Sequence, residues 1–329
     1  MLYERNGIIM QEVLKQIEAI GIVPVVKIDR AEDAVPLAQA LCDGGLPCAE
    51  VTFRTAAAAD AIKAMTDAFP NMLVGAGTVL TTEQADAAMA AGAKFLVSPG
   101  LNPAVVKYCV EKGYPMTPGC ANPSDIEQAL ALGLDVVKFF PAEAAGGLAM
   151  IKAMSAPYGS LKFMPTGGIN AANLNTYLDF PKILACGGSW MVNADMINAG
   201  DFEGIRALTR QAVEQMLGFT IAHIGINCNG ADDARAVSGS FASLFGFEAK
   251  EGNSSIFAGT GVEVMKSNGL GAKGHIAVRT NYLNRAIAYL ERQGVRFNAD
   301  SAKFNAKGKM VAIYLEQEIG GFAVHLVQK

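Results

Sequence analysis

Charge is scarce in this 329-residue chain: Asp, Glu, Lys and Arg make up only 18% of it, and 27 basic against 31 acidic residues leave a formal charge of -4. No run of basic residues offers a footprint for a phosphodiester backbone, which argues against nucleic acid as a partner. No stretch approaches the roughly 20 consecutive apolar residues of a membrane-spanning helix, which argues against a membrane partner. The N-terminal segment MLYERNGIIMQEVLKQIEAIG mixes charges into a helical periodicity, so the sequence predicts a cytoplasmic protein. Its six cysteines (Cys42, Cys48, Cys109, Cys120, Cys186 and Cys228) form no CxxC pair and lie scattered in apolar segments. That is the distribution of reduced core thiols, not of a disulfide framework or a cysteine-ligated metal. Histidine is rarer still, and all three (His223, His275 and His325) fall in the last third of the chain. What is abundant is apolar surface and glycine, 51% hydrophobic residues and 35 glycines, which excludes disorder and points to a packed chain with many tight turns. The length exceeds the single-core limit of roughly 250–300 residues, so two domains of about 200 and 100 residues are expected.

From Gly21 to about Met191, short β-rich apolar runs alternate with amphipathic, alanine-rich stretches, the pattern of βα units around a parallel sheet. The runs are GIVPVVKI (21–28), CAEVTF (48–53), MLVGAGTV (72–79), FLVSPG (95–100), YPMTPG (114–119), DVVKFFP (135–141), KFMPTGG (162–168) and KILACGGSW (182–190). Eight strands at this spacing fit a (β/α)8 TIM barrel better than a doubly wound sheet, with a helix over Met10–Ile20 capping its N-terminal end. After Gly218 the rhythm changes. AHIGINC (222–228), a helical stretch and three short strands ending in GVEVMKS are followed by GHIAVRT (274–280), a second helical stretch and strands ending in GFAVHLVQK. The fold class is therefore α/β, a barrel over 1–217, followed by an α+β domain of two paired βαβββ modules over 218–329, joined by a short linker around Met216–Thr220.

Active sites in such barrels sit where strands end at the C-terminal face. In CAEVTFRT, period-two alternation puts Glu50, Thr52 and Arg54 on one face and Val51 and Phe53 on the other. In DVVKFFP, Lys138 lies in a strand buried on both faces, which disfavours its charged form and suits it to attack a carbonyl carbon. A structural Lys–Glu ion pair and a rim salt bridge at Arg54 are the competing readings, and neither explains why all three residues fall at strand ends. Glycine-rich turns close the last two barrel strands, PTGGIN (165–170) and CGGSW (186–190), where such barrels usually hold phosphate. GAGTVL (75–80) offers Thr78 and backbone amides to a carboxylate.

Through EVTFRT, GAGTVL, VSPGLNP, VVKFFPAE, PTGGI and GGSW, in order and at matching spacing, residues 9–217 resemble the 2-keto-3-deoxy-6-phosphogluconate (KDPG) / 4-hydroxy-2-oxoglutarate (KHG) aldolase family. The resemblance implies a class I aldolase of the Entner–Doudoroff pathway, a homotrimer that needs no cofactor beyond its covalent lysine Schiff base. It implies that Lys138 forms that Schiff base with the substrate's C2 keto group and that Glu50 moves protons. It further implies that Arg54 and Thr78 hold the pyruvate carboxylate and that Phe140 and Pro99 line the pocket. Thr166 joins the substrate-binding set, and the Gly167, Gly168, Gly188 and Ser189 region holds the phosphate. Cleavage of KDPG to pyruvate and glyceraldehyde 3-phosphate is the expected reaction, with cleavage of KHG to pyruvate and glyoxylate as a second activity and another 2-keto-3-deoxy sugar acid as the alternative substrate. A sugar-binding or regulatory barrel without turnover is the remaining alternative, made improbable by the intact Glu50, Arg54 and Lys138 set. The turn PGCANPSD departs from the small hydroxyl residues that many relatives carry after PG, which leaves contacts of Ala121 to Pro123 with the substrate's middle hydroxyls open.

Alternation in the C-terminal segment places His223, Gly225 and Asn227 opposite Ile224 and Ile226, His275 opposite Ile276 and Val278, Glu263 opposite Val262 and Val264, and His325 opposite Val324 and Leu326. The four candidate ligands, His223, Glu263, His275 and His325, thus occupy the non-core face of the first and last strands of the modules, and such a set suits Zn, Ni, Fe or Mn. The segment resembles the glyoxalase / bleomycin-resistance / extradiol dioxygenase (vicinal oxygen chelate) superfamily. The resemblance implies a divalent metal on these four residues, with His325 standing where many metal-binding members carry Glu. The competing reading is a non-catalytic binding or assembly module, pairing trimers into a hexamer.

Overall fold

The computed structural model describes residues 2–329, with side chains from residue 8 onward. It divides into two compact units, Met1–Gln215 and Met216–Lys329. The first unit runs α1 (Leu2–Ile20), β1 (Ile22–Val26), α2 (Ala34–Asp43), β2 (Cys48–Thr52), α3 (Ala58–Ala68), β3 (Leu73–Gly77), α4 (Thr82–Ala90), β4 (Leu96–Val97) and α5 (Pro103–Lys112). It continues with β5 (Met116–Thr117), α6 (Pro123–Ala131), β6 (Val136–Phe139), α7 (Gly147–Ser155), β7 (Lys162–Pro165), α8 (Leu174–Leu178), β8 (Cys186–Gly188), α9 (Ala194–Ala199) and α10 (Phe202–Leu217).

All eight strands fall within the predicted runs, shortened because their ends turn into loops. They pair in parallel in the order β5-β4-β3-β2-β1-β8, with β6-β7 as a separate pair. Single bridges at Gly119↔Lys138, Phe163↔Ile183 and Thr166↔Gly187 carry the ring from β5 to β6 and from β7 to β8, so the parallel sheet curls into a closed barrel. Every C-terminal strand end therefore lies on one face. The barrel strands are buried almost throughout, as expected of a parallel sheet covered by helices. The first helix starts at Leu2 rather than Met10, since no proline or cap interrupts the periodicity before it; it buries Val13, Leu14, Ile17 and Ile20 at helical spacing. In the divergent turn after β5, Asn122 accepts a hydrogen bond from the Asp125 amide and Pro123 takes the first helical position. These two residues start α6, a standard N-terminal cap.

The second unit holds β9 (Thr220–Asn227), α11 (Ala231–Phe245), β10 (Ala249–Glu251), β11 (Ser255–Ala258), β12 (Val262–Met265), β13 (His275–Thr280), α12 (Leu283–Arg292), β14 (Phe297–Phe304), β15 (Met310–Leu315) and β16 (Ala323–Gln328). The last turn of α10 goes with this unit because its carbonyls are capped there: Thr280 Oγ1 donates to Leu217 O at 2.7 Å and Asn281 Nδ2 to Met216 O at 3.1 Å. One eight-stranded sheet results, in the order β10-β11-β12-β9-β13-β16-β15-β14. β9 and β13 run antiparallel at its centre, and each pairs in parallel with the last strand of its own half. The assignment of faces needs one correction. The histidine side of the sheet is buried as well, with His275 and His325 3% and 7% exposed, while the apolar side of β9 is covered only in part: Ile226 packs on the core of Ile256 and Val264, but Ile221 and Ile224 are 67% and 43% exposed. α11 packs on β11 and β12 and α12 on β15 and β16, which leaves the apolar side of the central strands less covered than alternation alone implies.

Candidate functional sites

In the barrel, Lys138 and Glu50 meet. They come from β2 and β6, four strands apart in the same ring, so they face each other across the barrel interior, and Lys138 Nζ lies 3.2 Å from Glu50 Oε1, with the residues 5% and 0% exposed. Glu50 fits because β3 carries Gly77 two residues beyond its paired position, Gly75: a Cβ at Gly77 would stand 2.2 Å from Glu50 Oε1. The second carboxylate oxygen, Oε2, is buried and has no hydrogen-bond partner among the described residues. A buried carboxyl oxygen left unsatisfied is costly. The ring of Phe140 lies beside the amine, its centroid 5.4 Å from Lys138 Nζ.

The other predicted residues flank this pair at the same face. Arg54 follows β2, and its Nε donates to Thr52 Oγ1 at 3.1 Å. Thr78 follows β3 with a φ of 56°, a left-handed conformation that strains a β-branched residue and is found mostly where function demands it. Pro99 follows β4. Thr166 is buried with its hydroxyl unpartnered, and it bridges to Gly187, which brings the two glycine-rich turns of Gly167, Gly168, Gly188 and Ser189 side by side. Sequence reasoning gave no role to Glu143 and Tyr177, whose carboxylate and hydroxyl hydrogen-bond beside the Gly168 turn. Burial, and then Glu143, holds the Tyr177 hydroxyl well above its ordinary range. Their separation of 34 residues left no local signal.

In the second unit the three imidazoles converge, with ring nitrogens all within 4.8 Å of one another. Strand register explains how. Glu263, Gly225 and His275 form one row across β12, β9 and β13, while His223, Ala277, His325 and Tyr314 form the next across β9, β13, β16 and β15. In each row a small residue, Gly225 or Ala277, separates two of the candidate ligands, so their side chains have room above the sheet. The fit at Gly225 is absolute: a Cβ would stand 2.0 Å from the His275 ring. Glu263 Oε2 lies 3.1 Å from His223 Nε2 and 3.2 Å from His275 Nε2, and Ser255 Oγ donates to its other oxygen at 2.7 Å. Hydrogen bonds from His223 and His275 hold the Glu263 carboxyl well below the usual range. Both nitrogens of His325 are buried and have no hydrogen-bond partner among the described residues. Burial, reinforced by His275 and His223, pushes its pKa down to about 3. Phe257 and Tyr314 stand edge-on to the imidazoles as walls.

Comparison with known proteins concerns the first unit. The KDPG and KHG aldolase family profile matches residues 11–208. A 2-dehydro-3-deoxy-phosphogluconate aldolase of Treponema pallidum is 53% identical over 205 residues, which cover 62% of this chain and 98% of that protein. A KHG/KDPG aldolase of Escherichia coli K12 is 44% identical over 193 residues, covering 59% of this chain and 91% of that one. Among solved structures, a KDPG aldolase of Legionella pneumophila with pyruvate captured as a covalent carbinolamine superposes with a TM-score of 0.58 at 40% identity, covering 60% of this chain and 96% of that one. The 2-keto-3-deoxy-6-phosphogluconate aldolase of Zymomonas mobilis with 3-phosphoglycerate gives 0.57 at 42%, covering 60% and 94%. With a buried lysine–carboxylate pair at the C-terminal face of a parallel barrel and a family match across residues 11–208, the chain belongs to the KDPG and KHG aldolases and is a lyase.

Proposed function

We propose that the first unit cleaves KDPG to pyruvate and glyceraldehyde 3-phosphate through a Schiff base on Lys138, and cleaves KHG to pyruvate and glyoxylate at the same site. The observation that carries this reading is the buried Lys138 amine 3.2 Å from Glu50, whose second oxygen has no partner. Neutral Lys138 attacks the C2 keto carbon, the carbinolamine loses water, and a protonated imine forms. The C4 hydroxyl then gives its proton through a water to Glu50 while the electrons of the C3–C4 bond flow into the imine, releasing the aldehyde. The remaining enamine takes a proton at C3, and hydrolysis frees pyruvate and restores the amine. Glu50 exchanges protons at each stage, which its contact with Nζ permits. Arg54 and Thr78 hold the carboxylate, Phe140 and Pro99 enclose the three-carbon unit, and Thr166 with the turns of Gly167, Gly168, Gly188 and Ser189 receives the distal phosphate. The covalent carbinolamine in the Legionella relative supports the lysine chemistry, and the phosphorylated three-carbon acid in the Zymomonas relative supports a phosphate-bearing substrate. The expected assembly is a homotrimer, or a hexamer made of two trimers.

Incubation with pyruvate and borohydride is expected to add one reduced adduct at Lys138, located by peptide mass spectrometry, and Lys138→Ala to abolish it. Labelling that survives the substitution would sink the assignment. Glu50→Gln should still bind pyruvate while turnover falls by about 100-fold, the usual size of a lost acid–base group.

A second reading applies to the C-terminal unit, as a vicinal oxygen chelate-like module that holds a divalent metal on His223, Glu263, His275 and His325. The buried, partnerless nitrogens of His325 favour it, since a metal is the kind of partner that such an imidazole lacks. The donor set of three imidazoles and one carboxylate fits Zn, Ni, Fe or Mn. A metal bound there would supply Lewis-acid character toward oxygen atoms of a ligand, while Ser255 orients Glu263 and Phe257 and Tyr314 exclude water. Elemental mass spectrometry of the tag-free chain should find about one equivalent of metal, lost in His275→Ala. No metal in either protein after reconstitution would leave the unit as a binding or assembly module.

A further inference from the structure

The cation that would meet the substrate carboxylate is held from behind by a hydroxyl. Thr52 is 2% exposed; its Oγ1 donates to the Val26 carbonyl at 2.8 Å and accepts from Arg54 Nε at 3.1 Å. Because the single hydroxyl proton goes to Val26, the oxygen can only accept from Arg54, and the direction of both bonds is fixed. On the other side of Arg54, Thr55 Oγ1 donates to Ile28 O at 2.5 Å. The segment carrying the guanidinium is thus fastened on one side to the end of β1 and on the other to Ile28 just beyond it. Tying Nε leaves the two Nη groups as a fork, and among the described residues no carboxylate pairs with that fork. A planar fork whose rotation is already set loses less freedom when it closes on a carboxylate.

We propose that Thr52 is a positioning residue for the substrate carboxylate: it fixes the rotation of the Arg54 guanidinium so that both Nη groups are preset for bidentate contact. Thr52 itself touches no substrate atom in this scheme. The proposal rests on the reading of Arg54 as the carboxylate ligand.

The test measures the pyruvate concentration that half-saturates borohydride trapping, together with cleavage kinetics, in Thr52→Val, Thr52→Ser, Arg54→Leu and the Thr52→Val/Arg54→Leu pair. Thr52→Val keeps the shape and loses the hydroxyl; it should raise half-saturation about tenfold while the trapping rate at saturating pyruvate stays close to that of the parent. Thr52→Ser should restore the parent value. The double variant should be no weaker than Arg54→Leu, because a hydroxyl that acts only through Arg54 has nothing left to position. Parent-like half-saturation in Thr52→Val, or a further tenfold loss in the double variant, overturns the proposal. An unchanged Arg54→Leu removes the carboxylate reading and the proposal with it, so the two failures are distinguishable. Should Thr52→Val not fold, Thr52→Ala gives the same readout without steric conflict.

Discussion

The buried His325 imidazole carries an electrostatic cost. Without a bound metal, its pKa is pushed down to about 3 by burial and by the neighbouring imidazoles, against about 6.5 in the unfolded chain. The folded unit therefore binds fewer protons than the unfolded one between these values, and stability is full above pH 6.5 and falls as pH drops toward 3. The loss is on the order of 1 kcal/mol for each pH unit. Glu263 adds to the loss only below about pH 4.5, since its folded pKa is also lowered. Urea unfolding of the chelated protein followed between pH 7.5 and 5 should show this slope, and His325→Phe should flatten it; an equal slope in the variant would refute the assignment. Lys138 and Glu50 were legible in the sequence because a charged residue inside an apolar strand contradicts its surroundings. Thr52 was legible only as a position on the same face, since its role depends on which carbonyl its proton reaches.

At the level of elements, register decides what alternation cannot. Period two places His223, Gly225 and Asn227 on one side of β9, but only the pairing of β9 with β12 and β13 sets Gly225 between Glu263 and His275. Gly225→Ala would drive a methyl group into the His275 ring, so the ring must leave its place. The expected outcome is loss of metal at unchanged far-ultraviolet circular dichroism, measured by elemental analysis. Retention of a full equivalent would mean that His275 is not a ligand. The same logic explains why the apolar side of β9 is core at Ile226 and open at Ile221 and Ile224. Alternation reports that a strand has two faces, while the position of α11 and α12 determines how far each face is covered. In the barrel this ambiguity does not arise, because helices cover the outside of every parallel strand and side chains fill the inside.

For the molecule as a whole, the sequence by itself determined the eight βα units, the change of rhythm near residue 218 and the two-fold repeat beyond it. Each is written in local periodicity, and local periodicity follows from the geometry of strand and helix. It also determined the lysine, the carboxylate and the glycine-rich turns at strand ends, because a parallel barrel has one face where such residues collect. Only the tertiary structure decided that Lys138 Nζ reaches Glu50 from 88 residues away, that Glu143 and Tyr177 brace the Gly168 turn, and that three histidines spread over about 100 residues point their rings at one place. Those contacts depend on ring closure and strand register, which are set by the packing of whole elements against one another. A side chain's spacing along the chain carries no record of either.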